Sequence, residues 1–319
     1  MPADLPAGLW PGLWVVATPI GNLSDISERA RLALASADRI LCEDTRRVSQ
    51  LLSALETGTP ARQERPLVRL DAHADAGRLE QALQWLEAGE NLALVTDAGT
   101  PAISDPGSEL VRLAHESGIR VTPIPGASAV TTLLSVSGFG ETAFSFRGFF
   151  PRKPSERASE VSAVLKASAL SGTRLHVWFE SPQRMLAAIG DLSAALGDGL
   201  GEHARLCAAK ELTKLHEKIW AGSLRAVLEE LRAHFAEEGE LGEWCFALLL
   251  PPTDARVSRT GDSSDWVKAL RCLLENAGEN ESQKARISAS EAARRVSQYF
   301  GTPKREVYEM ALRISGKKT

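Results

Sequence analysis

Through the first 125 residues, short apolar runs rich in β-branched or aromatic residues alternate with segments whose apolar residues recur at i, i+3 and i+4. Residues 13–17, 39–42, 67–70, 91–96 and 120–124 read as strands, and 26–37, 45–55, 76–88 and 106–117 as the helices between them. A crossover of helical length lets consecutive strands run parallel, so this order predicts a mostly parallel sheet covered by helices. Past Gly126 the pattern changes. Strands near 143–148, 173–179, 205–210, 217–221 and 244–250 are interleaved with longer helices, and the close pair 205–210 and 217–221 looks like a hairpin. This half reads as a second, mixed α/β domain.

The expected organisation is a flexible N-terminus (1–12), an N-terminal α/β domain (13–125), a second α/β domain (126–252), a polar linker (253–265) and a basic helical segment (266–319). The linker is announced by Pro251-Pro252 and the polar residues after them. In the last segment, Gly301-Thr302-Pro303 separates two helical patterns, as in a helix-turn-helix or any short helical hairpin. Residues 266–319 carry eleven Lys or Arg against six Glu. With a net charge of −4 for all 319 residues, that surplus of five leaves −9 on the remainder. A basic tail on an acidic body suits a segment that meets a polyanion, and equally a solvated helical face.

Composition removes several classes. With 44% hydrophobic and 24% charged residues, the chain can bury sizeable cores and is not disordered over most of its length. No apolar stretch approaches a membrane span, and residues 1–12 lack the form of a signal peptide, so a cytoplasmic protein without a membrane partner is expected. Cys42, Cys207, Cys245 and Cys272 are far apart, which argues for buried thiols over a zinc knuckle or disulfide framework. No GxxxxGK[ST] or HExxH occurs and the six histidines are scattered, so no metal is expected.

Ligands of open α/β sheets bind beyond the carboxyl ends of the strands, which directs attention to the loops there. The first, Thr18-Pro19-Ile20-Gly21-Asn22-Leu23-Ser24-Asp25, ends with Asp25 and Glu28 spaced as a capping box. The second, Glu43-Asp44-Thr45-Arg46-Arg47, places two arginines in the first turn of a helix, where the macrodipole disfavours cations. Arginine forks suit phosphate, so Arg46 and Arg47 are expected to contact an anion. The fourth strand leads into Thr96-Asp97-Ala98-Gly99-Thr100-Pro101-Ala102-Ile103-Ser104-Asp105-Pro106-Gly107, in which Asp105-Pro106 also reads as a helix start. The fifth leads into Pro125-Gly126-Ala127-Ser128-Ala129. Small residues in both loops let backbone groups approach a ligand closely.

In order along the chain, TPIGNLSDIS, EDTRR, DAGTPAISDPG, PGASA, FESPQR and AKELTKLHE resemble the motifs of the tetrapyrrole-methylase superfamily of S-adenosylmethionine (SAM) methyltransferases. Within it they are most similar to the branch that methylates the ribose 2′-hydroxyl of a cytidine in 16S ribosomal RNA. The resemblance covers roughly residues 13–252. It implies a two-domain α/β subunit with a small C-terminal helical appendage, a homodimer, and SAM, bound as a substrate, folded into the cleft between domains with no metal. Carried over by motif, Ala98, Gly99, Thr100 and Ile103 would meet the methionine part, Ser128 and Ala129 would help hold it, Phe179 and Leu212 would contact the adenosine side, and Pro19 would line the floor. Lys210 stands where the family commonly has arginine and would, with Arg46 and Arg47, meet the substrate.

Methyl transfer to a hydroxyl needs an in-line approach and is helped by a base. Asp44, Asp105 and Glu211 are the candidate bases, with Glu180 and His73 as alternatives. Three functions fit: an RNA 2′-O-methyltransferase acting on ribosomal RNA or the small subunit, a methyltransferase of a small molecule such as a tetrapyrrole, or a non-catalytic RNA-binding protein. The arginines, the basic tail and the motif order favour the first.

Overall fold

A computed structural model of the protein describes residues 5–55, 65–70, 76–103, 107–252, 266–267, 270–271, 274, 288–300 and 302–315. The described residues form two compact units, the first spanning Met1–Val136 and Glu211–Lys218, the second Ser137–Lys210 and Ile219–Thr319.

The first unit is a five-stranded sheet of β1 (Leu13–Val16), β2 (Arg39–Cys42), β3 (Leu67–Arg69), β4 (Leu92–Leu94) and β5 (Val121–Ile124), in the order β3-β2-β4-β1-β5. Each of its neighbouring strand pairs is parallel, as the alternation predicts. Side-chain alternation divides it into two faces. Trp14, Val16, Ile40, Cys42, Ala93 and Val95 pack against α1 (Glu28–Ser36) and α2 (Thr45–Leu55). Leu13, Leu41, Leu92 and Leu94 pack against α3 (Ala76–Glu87) and α4 (Ser108–Glu116). The consequence is topological. Strand β4 lies between β1 and β2, and its following helix sits on the opposite face from theirs, so their loops diverge and open a crevice at the carboxyl end of β4.

Three local expectations need correction. Helix α1 is capped by Ser27, whose hydroxyl accepts from Ala30 N, while Asp25 closes a 3-10 turn capped by Asn22; the Asp25/Glu28 box does not form. Helix α4 starts at Ser108 with Gly107 as N-cap, two residues beyond the expected Pro106. Within the segment expected to be flexible, Leu9 is buried in the core and Arg120 lies 4.0 Å over the exposed Trp10 ring, so part of it is anchored.

The second unit holds β6 (Phe144–Phe149), β7 (Leu175–Glu180), β8 (Arg205–Lys210), β9 (Lys218–Ser223) and β10 (Trp244–Leu249), in the order β6-β7-β10-β8-β9. Its sheet is mixed: β6 and β7 are parallel, and β10 is antiparallel to both β7 and β8. β8 and β9 are adjacent, as the hairpin reading requires. Helices α6 (Pro154–Ser171), α7 (Pro182–Gly201) and α8 (Leu224–Glu238) bury Val161, Ile189 and Leu231 against Trp178 and Phe246. The division between units falls at the last residue of α5 (Ala129–Ser137), eleven residues beyond the expected boundary, and Glu211–Lys218 returns to the first unit.

In the C-terminal segment, α9 (Ala289–Phe300) and α10 (Lys304–Ile314) share a small core of Trp266, Leu270, Ala292, Val296, Val307 and Ala311. An Arg295 Nη1 donates to Leu170 O on α6 at 2.8 Å, and Glu291 pairs with both Arg294 and Arg295. Part of the tail's positive charge is thus already compensated. The expected linker, 253–265, lies outside the described residues. Cys42, Cys207 and Cys245 are free and buried; Cys272 is outside the described residues. Among the described residues no helix is long and apolar enough to cross a membrane.

Candidate active site

Four loops of the first unit meet at the crevice. Thr18 and Gly99 form a two-hydrogen-bond bridge, Thr18 N donating to Gly99 O at 2.9 Å and Gly99 N to Thr18 O at 3.1 Å. The Thr18 hydroxyl donates to Thr96 O, and the Thr100 hydroxyl to Ala127 O at 3.1 Å. The loops after β1, β4 and β5 are therefore stitched together. Gly99 has φ +86°, left-handed backbone that L side chains adopt only with strain. The fourth loop is Glu211–Lys218. The stem of Lys214 lies over Gly21 so closely that a Cβ on Gly21 would sit 2.2 Å from Lys214 Cγ, and its Nζ is 2.9 Å from Glu211 Oε1.

Backbone strain concentrates here, and two of the five buried side-chain atoms without a hydrogen-bond partner among the described residues lie here as well. Among the described residues, the non-glycine residues with positive φ are Ala102, Glu211 and Thr213, all within these loops. Each such conformation costs about 1–3 kcal/mol and persists only where the surroundings impose it. Thr213 Oγ1 and Asp97 Oδ1 are buried without a hydrogen-bond partner. Burying such an atom unpaired costs about 1–3 kcal/mol, so both await a polar ligand group or a water. SAM offers ammonium and hydroxyl donors, and to this extent the loops fit it.

An acid–base cluster lies beside the loops. Asp44 caps α2 by accepting from Arg46 N at 2.9 Å, and its two oxygens take the Arg46 side chain at 3.1 and 2.8 Å. These bonds hold the Asp44 carboxyl well below the usual carboxylate range. Arg47 Nη1 is 3.3 Å from Asp97 Oδ2, and the Thr96 hydroxyl donates to Glu43. Each arginine at this helix start thus has a carboxylate partner, which offsets the macrodipole penalty. Burial, with Asp97, Asp44 and Glu43 nearby, pushes the Cys42 thiol up to about 12, so it stays protonated near neutrality.

The expected site residues fall as follows. In the first unit, Pro19, Thr100, Ser128 and Ala129 are half-buried at the loops, Gly99 and Leu212 are buried, and Ala98 and Ile103 are exposed. Glu211 is paired with Lys214, and Arg46 and Arg47 are exposed at the start of α2. Asp105 and His73 lie outside the described residues. In the second unit, Glu180 is buried and paired with Arg184, and Phe179 is half-buried at the end of β7. Lys210 corrects an expectation: it is buried, with Nζ 3.4 Å from Glu238 Oε2 and 3.3 Å from His234 Nε2, so its ammonium is engaged inside the protein. Asp97 and Thr213 were not singled out by the sequence reading. The available signal was position, since Asp97 opens the glycine-rich loop of a central strand and Thr213 sits inside the KELTK motif. Among the described residues no three His, Cys, Asp or Glu side chains group to hold a metal ion.

Comparison with known proteins gives a consistent answer. The tetrapyrrole (corrin/porphyrin) methylase family matches residues 12–228. Ribosomal RNA small subunit methyltransferase I of Mesorhizobium japonicum is 37% identical over 98% of this chain and 95% of its own, and that of Synechocystis sp. is 35% identical over 95% and 98%. The crystal structure of the methyltransferase CobJ shares the fold at 16% identity, with a TM-score of 0.52 over 78% of this chain and 98% of its own. From strand order to motif order, the chain belongs to the tetrapyrrole methylase family and, within it, to the ribosomal RNA small subunit methyltransferase I group.

Proposed function

We propose that the protein transfers the methyl group of SAM to the ribose 2′-hydroxyl of a cytidine in 16S ribosomal RNA. The observation that carries this reading is the extent of the likeness. The tetrapyrrole methylase match ends at residue 228, whereas the relatives named for small-subunit ribosomal RNA align over 95–98% of the chain and so reach into the basic tail. A tetrapyrrole methylase would need the crevice but no such tail.

In this reading Pro19, Ala98, Gly99, Thr100, Ile103, Ser128, Ala129 and Leu212 hold SAM, which supplies an electrophilic methyl group when bound. The loops do their work by position. Bridged backbone at Thr18 and Gly99 fixes the crevice before the substrate arrives, so little reorganisation remains for the transition state. Arg46 and Arg47 contribute cations to the RNA backbone. Of the expected bases, Asp44 is committed to a helix cap and to Arg46, and Glu211 to Lys214. Cytoplasmic location and a homodimer belong to the same reading; sedimentation of the purified protein tests the second.

The decisive experiment supplies methyl-labelled SAM with unmethylated small ribosomal subunits or with a tetrapyrrole. Label in 16S ribosomal RNA that protects one phosphodiester from alkali is the expected result, because a methylated 2′-oxygen cannot attack its neighbouring phosphate. Label in the tetrapyrrole alone, or in neither, would overturn the reading.

A further inference from the structure

Two adjacent phenylalanines, the last residue of β6 and the one after it, have opposite fates. Along the start of the strand Phe144, Ser145 and Phe146 pair with Leu175, His176 and Val177 of β7. The Ser145 hydroxyl is 2.6 Å from His176 Nδ1, and His176 Nε2 is 2.7 Å from Ser168 Oγ on α6, so these side chains face α6 and Phe144 and Phe146 face away. Strict alternation would send Phe149 to the α6 side. Instead, the next register pair is Phe149 with Phe179, three residues on in β6 but two in β7. This bulge, with Gly148 at φ +72°, rotates Phe149 onto the face of Phe146 and Phe179 and drops Phe150 into the core against Trp178 and Phe246.

The result is an aromatic ring held in water. Phe149 is 63% exposed, with its ring centroid 5.7 Å from Phe179 at 70°; Phe146 supports Phe179 from 4.9 Å. Burial in the core would stabilise such a side chain by about 1.5–3 kcal/mol, so folding alone would not choose this arrangement. Two exposed cations follow, Arg152 and Lys153, the latter 75% exposed with its Nζ 3.1 Å from Glu156 Oε1 at the surface. Their backbone is anchored from beneath. Buried Arg157 donates to Pro151 O at 2.9 Å and to Arg152 O at 2.8 Å. Among the described residues, the strand is an edge of its sheet.

We propose that Phe149, backed by Phe179 and flanked by Arg152 and Lys153, is a stacking platform for an unpaired base of the RNA substrate. The proposal rests on the RNA methyltransferase reading and names a substrate contact for it. A flat π-surface with cations on the following, anchored backbone matches the two invariant parts of a nucleotide, its base face and its phosphate. Cations at the rim distinguish it from the apolar patch that a second copy of the chain would cover.

The test measures affinity for unmethylated small ribosomal subunits, and for a short single-stranded RNA carrying a fluorescent base, across a salt series. Phe149→Ala should weaken binding about ten-fold, near the lower part of the range for one base–aromatic stack, with an unchanged salt slope. Phe149→Leu should behave as the alanine variant does, and Phe149→Tyr should restore binding. Arg152→Ala should weaken binding and reduce the slope by about one. SAM affinity should stay unchanged in all four. Unchanged RNA affinity in Phe149→Ala, an equal loss of SAM affinity, or dissociation into monomers that bind RNA normally would each overturn the platform. Absence of methyl transfer by the wild-type protein, with RNA binding still dependent on Phe149, would strike the functional reading and leave the platform standing.

Discussion

Replacing Gly99 by alanine isolates the contribution of one backbone conformation to cofactor binding. The new Cβ would lie 3.4 Å from Ile20 Cγ2 and 3.7 Å from Ala127 O, within ordinary contact, so no clash is created. The cost comes from φ +86°, which penalises an L side chain by about 1–2 kcal/mol. Relaxing that strain would stretch the two bonds to Thr18, each worth about 0.5–1.5 kcal/mol, so the loop gains little by moving. Stability should therefore fall by about 1–2 kcal/mol, a melting shift of about 2–8 °C. Calorimetric titration should show SAM affinity reduced at least ten-fold, because the methyl enters the space between Ile20 and Ala127 that the ligand is proposed to use. Gly99→Asn separates the two effects, since asparagine tolerates left-handed backbone better yet is bulkier. It should be the more stable variant and the poorer binder. Normal SAM affinity in an alanine variant that shows the expected destabilisation would refute the placement.

Arg46→Ala should weaken RNA binding and lower its salt slope by about one while SAM affinity holds, measured by titration at several ionic strengths. Burial, with Arg147 nearby, pushes the His176 imidazole down to about 4 from 6.5. As pH falls the unfolded chain takes up this proton first, so the associated stability is present above pH 6.5 and lost progressively toward pH 4; urea unfolding at pH 7 and pH 5 should show the loss, and His176→Asn should reduce it. Arg157→Met removes a buried guanidinium that holds Pro151 O, Arg152 O and Asp191. It should destabilise the second unit by about 2–4 kcal/mol in denaturant melts, the partial exposure of Asp191 placing it toward the lower end for a buried pair.

Much of the first unit was legible because its signals are local. A parallel sheet buried on both faces needs apolar strands and crossover helices, and residues 39–42 and 45–55 coincide with β2 and α2 to the residue. What failed was decided by cap chemistry or distant contacts. Ser27 won over Asp25 because its hydroxyl reaches Ala30 N, and no pattern in residues 5–12 announces that Leu9 would find the core. The site was legible as loops and less so as side chains. Motif order located TPIG, DAGTP, PGASA and KELTK, but the pairing of Arg46 with Asp44, the burial of Lys210 against Glu238 and the bulge that turns Phe149 outward depend on register and partners.

The two arginines of α2 were expected at the substrate because a helix N-terminus disfavours cations, and the structure changes the physics of that expectation. Each already holds a carboxylate, Arg46 through Asp44 and Arg47 through Asp97, so an incoming phosphate must compete with an internal anion. The two competitions differ. Asp44 is bound by backbone as well as side chain and remains satisfied as a helix cap if Arg46 turns away. Asp97 would lose its arginine while its other oxygen is already buried without a partner, so releasing Arg47 costs more. Removing the carboxylate should therefore help RNA: Asp97→Asn should raise RNA affinity by up to about five-fold, the scale of an exposed ion pair, whereas Arg47→Ala should lower it. The opposite signs are the test. Should Asp97→Asn weaken RNA binding at constant SAM affinity, the carboxylate contributes to the RNA site directly, and the competition argument is wrong.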